Sequence, residues 1–276
     1  MIKDIVVNLA VDGKPDTARN SAVAVAAALD AHLTGVAVVY EPVTPGTIFD
    51  SYSASIVTMK RRVSEEAAKT AADAFDEAAR KNELSAQSRM ILSSFAAAPG
   101  KFARIALRHD LAIVGQGEPK SPSPNDMILE AALFDTGRPV LVVPYIQSAP
   151  FRLDRVLLCW DGSRSAARAI ADALPLLEHA TDIDVVTIAS RDDNREEIPG
   201  ADIAHHLARH SLKVDLQRLV SPETDVANAI LSYAADRSSD LIVMGGYGHS
   251  RLREFILGGA TRGVLASMTV PTFMSH

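Results

Sequence analysis

Two stretches decide how the chain is read: Asp4-Ile-Val-Val-Asn-Leu-Ala-Val-Asp-Gly13 near the start and Asp154-Arg-Val-Leu-Leu-Cys-Trp-Asp-Gly-Ser163 in the middle. Each begins at an aspartate and runs through mostly apolar residues, interrupted by Asn8 in the first and with Arg155 at the start of the second, to an Asp-Gly pair. A nearly continuous apolar run, rather than period-two alternation, is what a strand needs in a parallel sheet covered by helices on both faces. Each stretch leads into an Ala-rich helical pattern, Ala18 to Ala31 and Arg164 to Leu177, and then into a second apolar strand, Gly35 to Tyr40 and Asp184 to Ala189. Strand, helix, strand therefore occurs twice.

The correspondence continues. Arg108-His-Asp-Leu-Ala-Ile-Val-Gly-Gln-Gly117 matches Ser238-Ser-Asp-Leu-Ile-Val-Met-Gly-Gly-Tyr-Gly248, with Asp110 and Asp240 in register. Each copy closes on a helix and a strand, Gly137-Arg-Pro-Val-Leu-Val-Val-Pro144 and Met268-Thr-Val-Pro-Thr-Phe-Met274. The expectation is two tandem α/β domains with open parallel sheets, 1–147 and 151–276, separated in the segment Pro144 to Arg152. Copy one is longer by an insertion. Within it, residues 55–80 have helical spacing, with Ile56, Met59, Val63, Ala67, Thr70, Ala71 and Ala74 expected on one side. Lys60, Arg61, Glu65, Glu66, Lys69 and Asp73 stand mostly opposite and read as a solvated face. In copy two this stretch corresponds to the acidic loop Arg191 to Pro199 and a short helix through Arg209.

Composition narrows the function. The 276 residues are 47% hydrophobic and 22% charged, as in a globular chain, and carry a net charge of −6. With one Trp, five Tyr and eight Phe, and no basic or aromatic cluster, nucleic acid is not an expected partner. The single cysteine, Cys159, rules out an intramolecular disulfide and suits a reducing compartment. The first residues lack a basic leader and cleavage site, and the longest apolar run, Ala22 to Leu29, is far short of a bilayer span. A cytoplasmic protein without membrane partners is expected.

In an open parallel sheet, ligands bind beyond the carboxyl ends of the strands, where strand order reverses. The loops after Trp160, Ile188 and Met244 converge there. The last reads Gly245-Gly-Tyr-Gly-His-Ser-Arg-Leu-Arg-Glu-Phe-Ile-Leu-Gly-Gly-Ala-Thr261. Gly245, Gly246 and Gly248 free the main chain to turn its amides inward as an anion nest, and Gly258 and Gly259 open the last helix, a second anion site. Arg251 and Arg253 could add positive charge, or simply face water. The alternative is that these glycines only make tight turns. Gly246-Tyr-Gly-His-Ser-Arg lacks the third glycine of the dinucleotide fingerprint, no Walker-type loop occurs, and Gly248-His-Ser-Arg-Leu lacks the last glycine of a nucleophile elbow.

At these residues the chain resembles the universal stress protein (UspA-like) family, specifically its tandem two-domain members. That family's signature is Gly, two residues, Gly, nine residues, Gly and then Ser or Thr; Gly245, Gly248 and Gly258 keep the spacing, and Gly259 replaces the hydroxyl residue. Thr261 retains the residue type common in the family at its position. The resemblance covers nearly the whole chain twice. It implies two Rossmann-like, adenine nucleotide alpha hydrolase-like domains, with ATP (with or without Mg) or a related adenine nucleotide bound in the second. Carried over, Asp161 contacts the nucleoside and Ile188 the adenine through its backbone. Met244 and Gly245 end the strand beneath, and Gly245, Gly248, Gly258, Gly259, Ala260 and Thr261 hold ribose and phosphates. It also implies occupancy-regulated contact with an unidentified protein partner and pairing of C-terminal edge strands within the chain, those begun by Pro139 and Pro271, with further homodimerisation open. A nucleotide-free scaffold and a slow ATPase are the alternatives, and no catalytic residues are identified.

Copy one departs from the pattern. After Val114 it reads Gly115-Gln-Gly-Glu-Pro-Lys-Ser-Pro-Ser-Pro-Asn-Asp126. Glu118 would oppose phosphate, the prolines remove donors, and Asn125 or Asp126 reads as an ordinary helix cap. Copy one is expected to bind no nucleotide in this manner. Other candidates have plain readings: Asp161 before Gly-Ser as a helix cap, Cys159 as a small core residue, His249 as a loop histidine. His206 and His210 have metal-ligand spacing beside His205, without a Glu or Cys partner, and no metal site is expected.

Overall fold

The structure is a computed structural model that describes residues 1–42, 51–118, 124–189, 200–220, 226–246 and 259–276. The chain divides into two units, Ile2–Arg138 and Pro139–His276.

The first unit contains β1 (Asp4–Asn8), α1 (Thr17–Leu29), β2 (His32–Glu41), α2 (Ser51–Lys81), β3 (Ala86–Ser94), α3 (Ala98–Ala106), β4 (Leu111–Gly115) and α4 (Pro124–Asp135). Its strands lie in the order β3-β2-β1-β4, all parallel, with Val6 opposite both Thr34 and Ala112. The second unit contains β5 (Val140–Val143), β6 (Arg155–Cys159), α5 (Arg164–Leu177), β7 (Asp182–Ala189), α6 (Ala201–Arg209), β8 (Val214–Val220), α7 (Val226–Asp236), β9 (Leu241–Gly245), α8 (Ala260–Ser267) and β10 (Thr272–Ser275). Its order is β5-β10-β9-β6-β7-β8, and every pair but one is parallel. The exception is β5 with β10, antiparallel, with Thr272 opposite Val142. These are the strands that Pro139 and Pro271 precede, and this pairing places β5 in the second unit.

The α/β architecture expected from the repeat is the one observed. Central strands are buried on both faces: Ile5 to Asn8, Leu111 to Val114, Val156 to Leu158 and Leu241 to Met244 are all enclosed. The paired aspartates explain one part of the repeat. Asp110 Oδ2 accepts from the amides of Lys3 and Asp4 at 2.8 and 3.1 Å, and Asp240 Oδ2 from that of Arg155 at 2.9 Å. In each unit this aspartate holds the start of one central strand against its neighbour.

Two expectations are corrected. The helix over 55–80 exists, but its buried face is Ala68, Ala72, Phe75 and Ala79, while Ile56, Met59 and Val63 are 39%, 68% and 56% exposed. The reason is a long-range fit. Gly35 on β2 leaves room for Phe75, whose ring atoms lie 2.9 Å from where a Gly35 Cβ would stand. That anchor turns the helix so that its small alanines meet the sheet. Its charged side is solvated, as expected, with Arg61–Glu65 and Arg62–Glu66 pairs one turn apart. Neither Asn125 nor Asp126 stands before α4 as a cap, because the helix begins at Pro124, an apt first position, and both lie in its first turn.

Candidate functional site

In the second unit the chain moves from β6 through β7 to β8 on one side, then returns to β9 and β10 on the other. Strand order reverses between β6 and β9. Both run parallel, with Leu158 opposite Val243, and β7 lies beside β6 with Val186 opposite Cys159. Their carboxyl ends therefore share one sheet edge, which brings together the turn at Asp161, Ile188 and Gly245.

The turn after β6 is rigid for local reasons. Gly162 adopts φ +77°, and Asp161 Oδ1 accepts from the Ser163 amide at 2.9 Å. Ser163 then caps α5, its Oγ accepting from the Ala166 amide at 3.1 Å. The alternative reading of Asp161 as the cap of this helix does not hold: Ser163 holds the cap, and Asp161 closes an Asx turn just before it with its carboxylate exposed. The first unit repeats the turn. Gly13 has φ +78° and Asp12 Oδ1 accepts from Lys14 at 3.1 Å, but the cap of α1 has passed to buried Asp16. Burial raises the pKa of Asp16 despite hydrogen bonds from the Arg19 and Ala10 amides, both 2.9 Å.

Gly245 ends β9 hard against α5: an added Cβ would lie 2.6 Å from both the Ala166 nitrogen and Ser165 Oγ. Glycine is thus demanded here by strand-to-helix approach. Gly246 follows, and its amide is already committed to the Ser275 carbonyl at 2.8 Å. This removes Gly246 from the expected anion nest, because a strand partner has taken its donor. Sequence reasoning could not see that engagement. Met244 is buried and Ile188 half-buried at the end of β7. Burial, together with the Asp161 charge, pushes the Cys159 thiol up to about 12, away from the thiolate form on which cysteine reactivity depends.

Gly259 precedes α8 without offering a side-chain cap, and the Gly263 amide returns to its carbonyl at 3.1 Å. Ala260 is half-buried and Thr261 buried in the first turn. Gly263 lets α8 close on α7, where an added Cβ would stand 2.5 Å from Ala227 Cβ. The chain passes from β9 through α8 to parallel β10, so the start of α8 faces the carboxyl edge of the sheet. Gly248, Gly258, His249, Arg251 and Arg253 lie outside the described residues, as does the loop 191–199.

The first unit reverses between β1 and β4, and there its own side chains fill the corner. Asn8 Nδ2 donates to Asn125 Oδ1 at 3.1 Å, and an added Cβ on Gly117 would stand 2.6 Å from an Asp126 carboxylate oxygen. Lys14 Nζ pairs with Glu118 at 2.6 Å, a contact that raises the lysine pKa. His206 and His210 stack edge to face at 4.9 Å on the outside of α6. Among the described residues, no group of three or more His, Cys, Asp or Glu is placed to hold a metal, and no helix is long and apolar enough to cross a membrane.

The repeated strand-helix-strand pattern, with an exposed aspartate turn and a glycine-opened helix at the strand reversal, defines an open-sheet α/β protein of the Rossmann-like class. The Universal stress protein family model matches residues 152–276, within the second unit. A curated universal stress protein of Synechocystis sp. strain PCC 6803 is 27% identical over 152 residues, 52% of this chain and 48% of its own length. The chain thus spans about half the length of that relative. The crystal structure of a universal stress protein from Archaeoglobus fulgidus shares the fold over 97% of this chain and 94% of its own, with TM-score 0.66 at 17% identity. A universal stress protein in complex with cAMP aligns over 45% of this chain and 96% of its own, at 18% identity and TM-score 0.36.

Proposed function

We propose that residues 151–276 bind ATP or a related adenine nucleotide at the carboxyl edge of β9, β6 and β7, and that occupancy rather than turnover is the protein's output. The observation that carries this reading is the strand reversal between β6 and β9, bordered by the Asp161 turn and by the start of α8. In the proposal the Asp161 carboxylate accepts from the nucleoside and the Ile188 main chain meets the base. Met244 and Gly245 form the floor, and Gly248, Gly258, Gly259, Ala260 and Thr261 supply main-chain amides to the ribose and phosphates. Any magnesium arrives on the phosphates. The nucleotide-bound and empty forms then differ in their affinity for a protein partner.

One observation favours the alternative of a nucleotide-free scaffold: the Gly246 amide, a donor the cradle would use, is engaged by Ser275. Mass spectrometry of the undenatured protein and titration with a non-hydrolysable ATP analogue separate the two readings. The expected result is one nucleotide per chain, with binding weakened in Asp161→Ala. Absence of binding, or a second equal site, contradicts the proposal.

A further inference from the structure

The proposed site leaves unexplained two residues at the end of β10. Gly246 is held from both sides: its amide donates to the Ser275 carbonyl at 2.8 Å, and its carbonyl lies 3.0 Å from His276 Nδ1. A carbonyl only accepts, so Nδ1 carries the proton of that bond. Ser275 is itself buried, and its Oγ donates to Asp172 Oδ2 at 2.9 Å, the same oxygen that accepts from Arg168 Nε at 2.8 Å. Asp172 and Arg168 belong to α5, the helix whose first turn meets Gly245. The end of β10 is thus tied to one wall of the site while it grips the residue at which the chain leaves the other.

A glycine left to itself rotates widely about both backbone dihedrals. A hydrogen bond on each of its peptide groups removes that freedom. We infer that His276 is a positioning residue for the nucleotide site: by holding the Gly246 carbonyl it fixes the orientation of the peptide at which the chain leaves β9. This rests on the nucleotide reading above. His276 touches no ligand in this role. It lowers the conformational cost of forming the cradle, so the gain is read as affinity for the anionic nucleotide.

The ring nitrogen in use gives the test its specificity. Nδ1 of histidine and Nδ2 of asparagine sit at the same distance along the side chain, whereas the glutamine amide nitrogen matches Nε2. The full chain and its His276→Ala, His276→Asn and His276→Gln variants are titrated with a non-hydrolysable ATP analogue, and their ligand-free melting is recorded. The expected result is that Ala and Gln bind about five-fold more weakly, the loss of one ordinary hydrogen bond, while Asn stays near wild type. Ligand-free melting temperatures should agree among all four. Unchanged affinity in the Ala variant, or an Asn variant as weak as Gln, overturns the role of His276 while the nucleotide reading stands. A wild-type chain that binds no analogue overturns both. Should the Ala variant lose stability, the Asn and Gln variants differ only in where the N–H lies, and their comparison decides.

Discussion

Replacing Gly245 by alanine tests whether the seam between β9 and α5 is as tight as its atoms indicate. The new methyl carbon would fall 2.6 Å from the Ala166 nitrogen, 2.6 Å from Ser165 Oγ and 2.7 Å from the Ser165 carbonyl carbon. Two of those neighbours are main chain in the first turn of α5 and cannot swing aside. The helix start must move away from β9, loosening the Ser163 cap on the Ala166 amide. Forcing a methyl into a closed seam costs about 1–3 kcal/mol. For a unit of this size about 2 kcal/mol lowers the melting temperature by roughly 6 °C. Scanning calorimetry measures the shift, and titration with the ATP analogue should show weaker binding as Gly245 and Asp161 separate. Two internal comparisons sharpen the test. The atoms nearest a Gly117→Ala methyl belong to the Asp126 carboxyl group, a side-chain end that can turn, and this substitution should cost less. Gly100→Ala, inside α3 with nothing within 4 Å, should stabilise by about 0.4–1 kcal/mol. If Gly245→Ala melts within about 1 °C of wild type, the seam argument fails.

Other outcomes follow from single contacts. Ser163→Ala removes the cap of α5 and should cost about 1 kcal/mol in denaturant unfolding, whereas Asp161→Ala should cost less stability and more nucleotide affinity. Phe75→Ala empties the space beside Gly35 and should destabilise the first unit by about 3–5 kcal/mol; Gly35→Ala should be harmful alone and partly rescued by Phe75→Leu, a coupling that a double-mutant cycle measures. Asp16 gives a pH test. Its folded pKa is raised above the ordinary 3.8 by burial, so its contribution to stability is greatest below 3.8 and is lost as pH rises through the folded value. The unfolding free energy of wild type minus that of Asp16→Asn should therefore fall with rising pH across that window. A flat difference would refute the assignment.

Much of this was legible in the chain itself. The central strands announce themselves because burial on both faces leaves only apolar residues in them, as at Ile5 to Val7 and Leu241 to Met244. The Asp-Gly turns are equally local: Asp12 and Asp161 each need only the amide two residues on and a glycine at positive φ between. The edge strands β3 and β8 were not legible. Ala86–Ser94 and Val214–Val220 each leave most of their side chains in or near solvent, so neither carries a continuous apolar run.

What the sequence determined alone is therefore the repeat, the parallel α/β class and the position of its turns, since each depends on residues within a few steps of one another. Tertiary structure decided the rest. Phe75 finds Gly35 and thereby selects the buried face of α2; β5 meets β10 in antiparallel register; Ser275 takes the Gly246 amide that glycine spacing alone would have left for a phosphate. Each of these pairs is distant along the chain, and no local period records which donor a folded neighbour will claim first.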